Sequence, residues 1–216
     1  TLTIMSNKRI MKELKAFAES TEFFLDVNDQ DMTTFNIMFF GPPDTPFHHG
    51  IFMFNFKITD NYPFNVPVVK FLTGGVVHGR MHPNLYEDGK TCLSILNTWG
   101  SNEWSPLLTI EKVMYTIRAL LDTNPAIHEP GVRGHNNDYV LNSLYLSLKS
   151  IPEMRKFFET TNSCFLPIVN DYINQHKQDI LKKVDELLPY DSLVKPTFHH
   201  NKKIYSKTLQ DSLQNL

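Results

Sequence analysis

Cysteine is scarce in this chain, with two residues in 216, Cys92 and Cys164. One disulfide is arithmetically available, but the dense pattern of small secreted scaffolds is excluded, and so is a thiolate-rich zinc site, since no Cys-x-x-Cys pair exists. Charge of one sign is also lacking. Lys and Arg number 21 against 23 Asp and Glu, and the basic residues are dispersed apart from short clusters such as Lys182-Lys183 and Lys202-Lys203. No stripe for tracking nucleic-acid phosphates is expected. No apolar run approaches the roughly 18 residues of a membrane span, and Thr1 to Met11 carry no apolar stretch followed by a small-residue cleavage site. The expectation is a soluble intracellular protein, cytoplasmic, with the nucleus left open. Nine histidines keep a metal site conceivable. However, His48-His49 and His199-His200 are adjacent pairs, and neighbours on a strand point to opposite faces. They read as exposed turn or surface residues, and no metal site is expected.

What is present organises into an α+β pattern. Most of the 16 Phe lie between Phe17 and Phe71, so the front half is expected to hold the main core. Residues 7–18 read as an amphipathic helix with Ser6 as N-cap; Ile10, Met11, Leu14, Phe17 and Ala18 form one face, and Lys8, Arg9, Lys12, Glu13 and Lys15 the solvated one. Strand signals follow at 22–27, 34–40, 51–58 and 68–72. In the third, Phe52, Phe54, Phe56 and Ile58 alternate with polar Asn55 and Lys57, as on a half-buried antiparallel strand. These segments predict a four-stranded meander packed against helices. Further helices are expected over 109–121, over 138–149 (limited by Pro152), over 167–188, and as a short tail at 202–213. The chain from Gly74 to Trp104 has few clear elements, and long irregular segments of this kind tend to be functional.

That segment holds His82-Pro83-Asn84-Leu85-Tyr86-Glu87-Asp88-Gly89-Lys90-Thr91-Cys92-Leu93-Ser94-Ile95-Leu96, then Trp104-Ser105-Pro106 before a helix. A thiol is the most nucleophilic neutral-pH side chain available, and an Asn amide is a neutral donor for a developing oxyanion. Taken alone, Cys92 reads rather as a small buried apolar residue and Asn84 as a turn former. The set of motifs changes this. His-Pro-Asn, a cysteine eight residues after the Asn, Cys-Leu-x-Ile-Leu, and Trp-Ser-Pro entering a helix together resemble the ubiquitin-conjugating enzyme family. So do Tyr62-Pro63-Phe64 with Pro67, and Gly41-Pro42-Pro43-Asp44-Thr45-Pro46-Phe47. The resemblance covers roughly residues 7–160. It implies a UBC core at 1–160 (helix, four-stranded antiparallel meander, active-site loop, C-terminal helices) and a helical extension at 161–216.

The resemblance implies thioester chemistry. Cys92 would accept the acyl group of ubiquitin, or of a ubiquitin-like protein, from an activating enzyme and pass it to a substrate lysine or a ligase. Asn84 would stabilise the oxyanion; His82 and Pro83 would hold the loop. Lys8, Arg9 and Lys12 would meet the activating enzyme, and Phe64, Ser105 and Pro106 a ligase. No cofactor is expected, because the activating enzyme uses the ATP and no Gly-rich loop ending in Lys-Ser/Thr is present here. The lysine-activating acid of many members, two positions after an Asn-Pro, is replaced by Ile127, leaving His128 or Glu129 for that work, and Ser94 stands where an acidic residue is common. These departures, with Asn-Pro-x-x-x-Glu-Pro-Gly and the C-terminal extension, look like the larger Z-type conjugating enzymes. Two rivals differ in class. An inactive variant that binds ubiquitin noncovalently would lack the cysteine, and a cysteine hydrolase built on Cys92 and His82 would give Pro83 and Asn84 no role.

Overall fold

The computed structural model describes residues 4–28, 30–192, 194–197 and 200–216, so His199 of the second histidine pair lies outside the described residues. Helix α1 (Ile4–Ala18) precedes strands β1 (Phe24–Asn28), β2 (Asp31–Phe40), β3 (Ile51–Lys57) and β4 (Val68–Phe71). Then come α2 (Thr73–Val77), α3 (Ile110–Leu120), α4 (Asn137–Thr160) and α5 (Phe165–Asp185), a hairpin of β5 (Val194–Thr197) and β6 (His200–Lys203), and α6 (Ser206–Gln214). The first four strands form one antiparallel sheet in sequence order. No helix among the described residues is long and apolar enough to cross a membrane.

The sheet is built on a phenylalanine ladder. Phe35, Ile37 and Phe39 of β2 face Phe56, Phe54 and Phe52 of β3 in register. The Phe35–Phe56 and Phe39–Phe52 rings stack at 5.4 Å, each pair adding about 0.5–1.5 kcal/mol beyond simple burial. The opposite face is polar at one end, where Asn55 donates to Asn36 (2.9 Å) and Asn36 to Asp26 (3.4 Å). At the other end it is covered. Met38 and Met53 are paired across this face and buried, and Tyr172 of α5 stacks on Phe40 at 3.6 Å. β3 is therefore buried on both faces over its first half, beyond what its alternation predicted.

Four helix expectations need correction. α1 starts at Ile4, so Ser6 lies inside it and not at its cap. Its buried stripe is Ile10, Leu14 and Phe17; Met11 is exposed, because one residue is a rotation of about 100°. Glu13, expected on the solvated face, is buried and accepts hydrogen bonds from Tyr62 Oη (2.9 Å), from the Ile110 amide opening α3 (2.8 Å) and from Arg9. A carboxylate there also meets the positive end of the α3 dipole. α4 runs through Pro152, which costs roughly 3 kcal/mol inside a helix. The buried stripe continues past it through Met154 and Phe158, and burying two such side chains, about 1.5–3 kcal/mol each, outweighs that cost.

Residues 161–216 are not wholly helical: the β5–β6 hairpin occupies 194–203, and α6 starts only at Ser206. Pro196, lacking an amide donor, suits an edge strand and not a helix. Phe165, Val169, Ile173, Ile180, Val184, Leu209 and Leu213 join the same hydrophobic core as the sheet and α1. The histidine pair before β3 also departs from expectation. His48 and His49 sit in a turn, His49 has a positive φ of 67°, the two rings stack at 3.7 Å, and His49 is fully buried.

Candidate active site

Between α2 and α3 the chain makes one short 3-10 turn, Ser94–Leu96, yet it is pinned along its length. Glycine opens the way. Gly89 has φ +91°, and Gly74 passes so close to the Tyr86 carbonyl that a Cβ would sit 2.6 Å from it. The Gly89 carbonyl accepts from the Phe71 amide at 2.8 Å, fastening the loop to the end of β4. Bridges His82–Leu85 and Leu85–Thr91 fold the segment back on itself.

This fold-back brings Asn84 to Cys92 twice. The Cys92 amide donates to the Asn84 carbonyl (2.8 Å), and Asn84 Nδ2 donates to the Cys92 carbonyl (2.7 Å). One of the two Nδ2 protons thus clamps the loop, and the other remains for chemistry. Cys92 is 1% exposed. His82 is fully buried, and its Nδ1 accepts from the Asn84 amide at 3.0 Å. Burial first, and then His128 nearby, hold the His82 imidazole well below its usual pKa, against a weaker pull from the Leu120 carbonyl. A neutral ring accepting from the loop backbone is a strut. Pro83 contributes its carbonyl as an acceptor for Arg80.

Beyond Cys92, Thr98 closes the loop, donating to the Thr91 carbonyl (2.6 Å) and accepting from the Leu93 amide (2.9 Å). Ser94, standing where an acid is common, donates to Glu103 at 2.7 Å, and Ser101 donates to the other carboxylate oxygen at 2.7 Å. These two hydroxyls, Ser101 foremost, hold the Glu103 carboxyl below the usual range. The loop after Thr98 therefore brings the Glu103 carboxylate to Ser94, two residues beyond Cys92. Trp104 Nε1 donates to the Pro63 carbonyl at 2.8 Å, joining the two loops that carry Phe64 and Ser105-Pro106.

The remaining candidates divide by environment. His128 pairs with Asp122 at 2.8 Å, and its ring lies 5.0 Å from that of His82. Glu129 is buried and ion-paired to Arg80 at 3.0 Å. Arg80 also covers the Tyr86 ring at 4.0 Å, and burial pushes the Tyr86 hydroxyl above its ordinary pKa. Phe64 is 64% exposed, and Leu107, next to Ser105 and Pro106, is 89% exposed. Lys8 and Lys12 are exposed, whereas Arg9 is engaged by Glu13 and by the Leu108 carbonyl (3.2 Å). Arg80, Tyr86, Thr98, Glu103 and Asp122 were not singled out from sequence. Arg80, two residues before His82, and Glu103, beside Trp104, flank quoted motifs, but no local pattern gives their partners. Among the described residues, the group with metal-ligand spacing is His48, His49 and Asp179, which includes none of the active-site loop.

A covered thiol in a rigid loop, with an amide donor bonded to the backbone carbonyl of the same residue, suits acyl transfer through a covalent intermediate. The ubiquitin-conjugating enzyme family profile matches residues 9–143. Ubiquitin-conjugating enzyme E2 Z of Danio rerio is 42% identical over 108 residues, covering 50% of this chain and 33% of that protein. Probable ubiquitin-conjugating enzyme E2 25 of Arabidopsis thaliana is 33% identical over 172 residues, 70% of this chain and 28% of that one. The chain thus spans about a third of the length of such relatives. Among solved structures, the E2 domain of a Toxoplasma gondii ubiquitin conjugating enzyme superposes with a TM-score of 0.53 at 27% identity, covering 66% of this chain and 97% of that domain.

Proposed function

The chain belongs to the ubiquitin-conjugating enzyme family, and from that premise we propose that Cys92 carries ubiquitin, or a ubiquitin-like protein, as a thioester. The Cys92 thiolate attacks the carbonyl of the activating enzyme's thioester; a new C–S bond forms as the old one breaks and the activating enzyme's thiolate leaves. A substrate amine then attacks the same carbonyl, loses its proton, and expels the Cys92 thiolate, or a ligase cysteine takes the acyl group instead. The observation that carries this reading is the paired Asn84–Cys92 contact, which holds the thiol and a neutral amide donor in one loop. The free Nδ2 proton of Asn84 is the oxyanion donor, and His82 and Pro83 keep the loop in shape.

A lysine at its ordinary pKa of about 10.4 is almost wholly protonated at neutral pH, so it needs an acceptor for its proton. His128, held by Asp122, is the half-open group suited to that role, while Glu129 positions Arg80. Lys8, Arg9 and Lys12 make the surface for the activating enzyme; Phe64, Ser105, Pro106 and Leu107 make the surface for a ligase. At 1% exposure Cys92 must be uncovered locally before it is charged.

The test is incubation with activating enzyme, ATP and ubiquitin, followed by a non-reducing gel. A shifted band that reductant removes and Cys92→Ala abolishes is expected; no thioester with any activating enzyme overturns the reading. Asn84→Ala is expected to leave charging largely intact and to slow discharge to lysine on the order of a hundredfold, as for other single oxyanion donors. Equal loss of both steps counts against the oxyanion role.

A further inference from the structure

Away from Cys92, the turn before β3 and one face of α5 converge. His48 and His49 come from the turn; Tyr172, His176 and Asp179, at helical spacing i, i+4 and i+7, come from α5. The positive φ of His49 turns two adjacent rings to the same side, so they stack at 3.7 Å instead of diverging as on a strand. One ligand-type atom from each of His48, His49 and Asp179 lies within 4.8 Å of the other two. The His176 ring flanks them, 5.5 Å from that of His49.

We propose that His48, His49 and Asp179 form a binding site for a divalent transition-metal ion of the zinc class, which ties α5 to the turn before β3. Two imidazoles and a carboxylate make a ligand set that zinc accepts, with a fourth position left for water or for His176. The spacing is close to what is needed. Donor atoms about 2.0–2.1 Å from a tetrahedral ion lie about 3.3 Å apart, and His49 Nε2 stands 2.7 Å from Asp179 Oδ2. Imidazoles coordinate through in-plane lone pairs, so the partly exposed His48 ring must turn out of its stack on His49. That rotation, with a shift of the Asp179 side chain, 48% exposed, admits the ion and gives it an entry path.

The outer contacts are also in place. Tyr172 Oη lies 2.9 Å from His49 Nδ1. When the ion takes the Nε2 lone pair, the ring proton resides on Nδ1 and is donated to Tyr172 Oη, the second contact that commonly orients a ligating histidine. Burial lowers the pKa of both imidazoles, that of His49 to about 4, which favours the neutral form that coordinates. The competing account is a hydrogen-bond relay alone, in which Tyr172 donates to Nδ1 and Nε2–H donates to Asp179.

The experiment strips the full chain with chelator, titrates it with ZnCl2 by calorimetry, and records the absorption spectrum with Co2+ in place of Zn2+. One ion per chain is expected, with nitrogen/oxygen ligand-field bands and no sulfur charge-transfer band, which sets the site apart from Cys92 and Cys164. Tyr172→Phe is expected to weaken binding roughly 10–100-fold as an outer contact. His48→Asn and Asp179→Asn, both at partly exposed positions, are expected to weaken it further. No saturable uptake, a sulfur band, or affinity unchanged in His48→Asn and Asp179→Asn would overturn the proposal in favour of the relay. None of these readouts requires ubiquitin transfer.

Discussion

Replacing Glu129 by Gln keeps the shape of the side chain and removes the charge that Arg80 faces at 3.0 Å. The side chains are 10% and 5% exposed, so the loss leaves a guanidinium without its counter-charge in a poorly solvated place. Breaking a buried pair from one side costs about 3–5 kcal/mol. Arg80 keeps the Pro83 carbonyl and the Tyr86 ring face, so the lower end, about 3 kcal/mol, is expected for Glu129→Gln. Urea unfolding measures it. Arg80→Met combined with Glu129→Leu removes both charges and is expected to recover much of the loss, with a coupling of about 1–3 kcal/mol in the double-mutant cycle. The chemistry provides the counter-test. A positioning Glu129 predicts that discharge of the Cys92 thioester to free lysine falls in Glu129→Gln only as the loop loosens, and is rescued in the double variant. If Glu129 is itself the lysine-activating group, the signature reverses. Stability would fall by less than about 1 kcal/mol, as for an exposed pair, while discharge slows on the order of a hundredfold or more. That result refutes the reasoning.

Glu13→Gln is expected to destabilise the chain by about 2–3 kcal/mol in the same unfolding assay, because one carboxylate serves three donors and Gln offers one acceptor oxygen; a loss under about 0.5 kcal/mol would show the hub is dispensable. Cys164 is exposed, yet its thiol is pushed up to about 11 by partial burial and by Asp26. Near neutral pH its thiolate fraction is about 300-fold below that of a thiol at pKa 8.5, an effect only partly offset by the greater nucleophilicity of a more basic thiolate. Alkylation of Cys164 should therefore run roughly tenfold or more slower than of a free thiol, and faster in Asp26→Asn; rapid labelling of the unmodified chain contradicts this. His82 is neutral in the fold and takes a proton at about pH 6.5 when unfolded. Its folded pKa is depressed, so its contribution is complete above pH 6.5 and falls by about 1.4 kcal/mol per pH unit as acid is added below that. His82→Asn, whose Oδ1 replaces Nδ1 as acceptor for the Asn84 amide, should lower the acid slope by one proton; an unchanged slope shows that His82 does not titrate with unfolding.

Local pattern carried much of this protein. The period-2 phenylalanines of β3, the 3.6-period stripe of α1 and the turn residues between strands place the meander, because each signal depends on neighbours a few residues away. The loop was legible as a motif: His82, Asn84 and Cys92 are close in sequence, and their contacts are local ones. Where tertiary energy competes with local preference, the pattern misleads. Pro152 reads as a helix stop, but burial of Met154 and Phe158 carries α4 through it. Glu13 reads as solvated until Tyr62 and the start of α3 supply its donors.

The sequence by itself therefore determined the order of helix and strands, the active-site loop and its family resemblance, since spacing along the chain encodes all of these. Only the tertiary structure decided which distant polar groups meet. Arg80 and Glu129, and His49 and Asp179, are 49 and 130 residues apart. No periodicity specifies such pairs. They follow from how the sheet, α4 and α5 pack, and packing also decides whether a polar group must find a partner or is left to water.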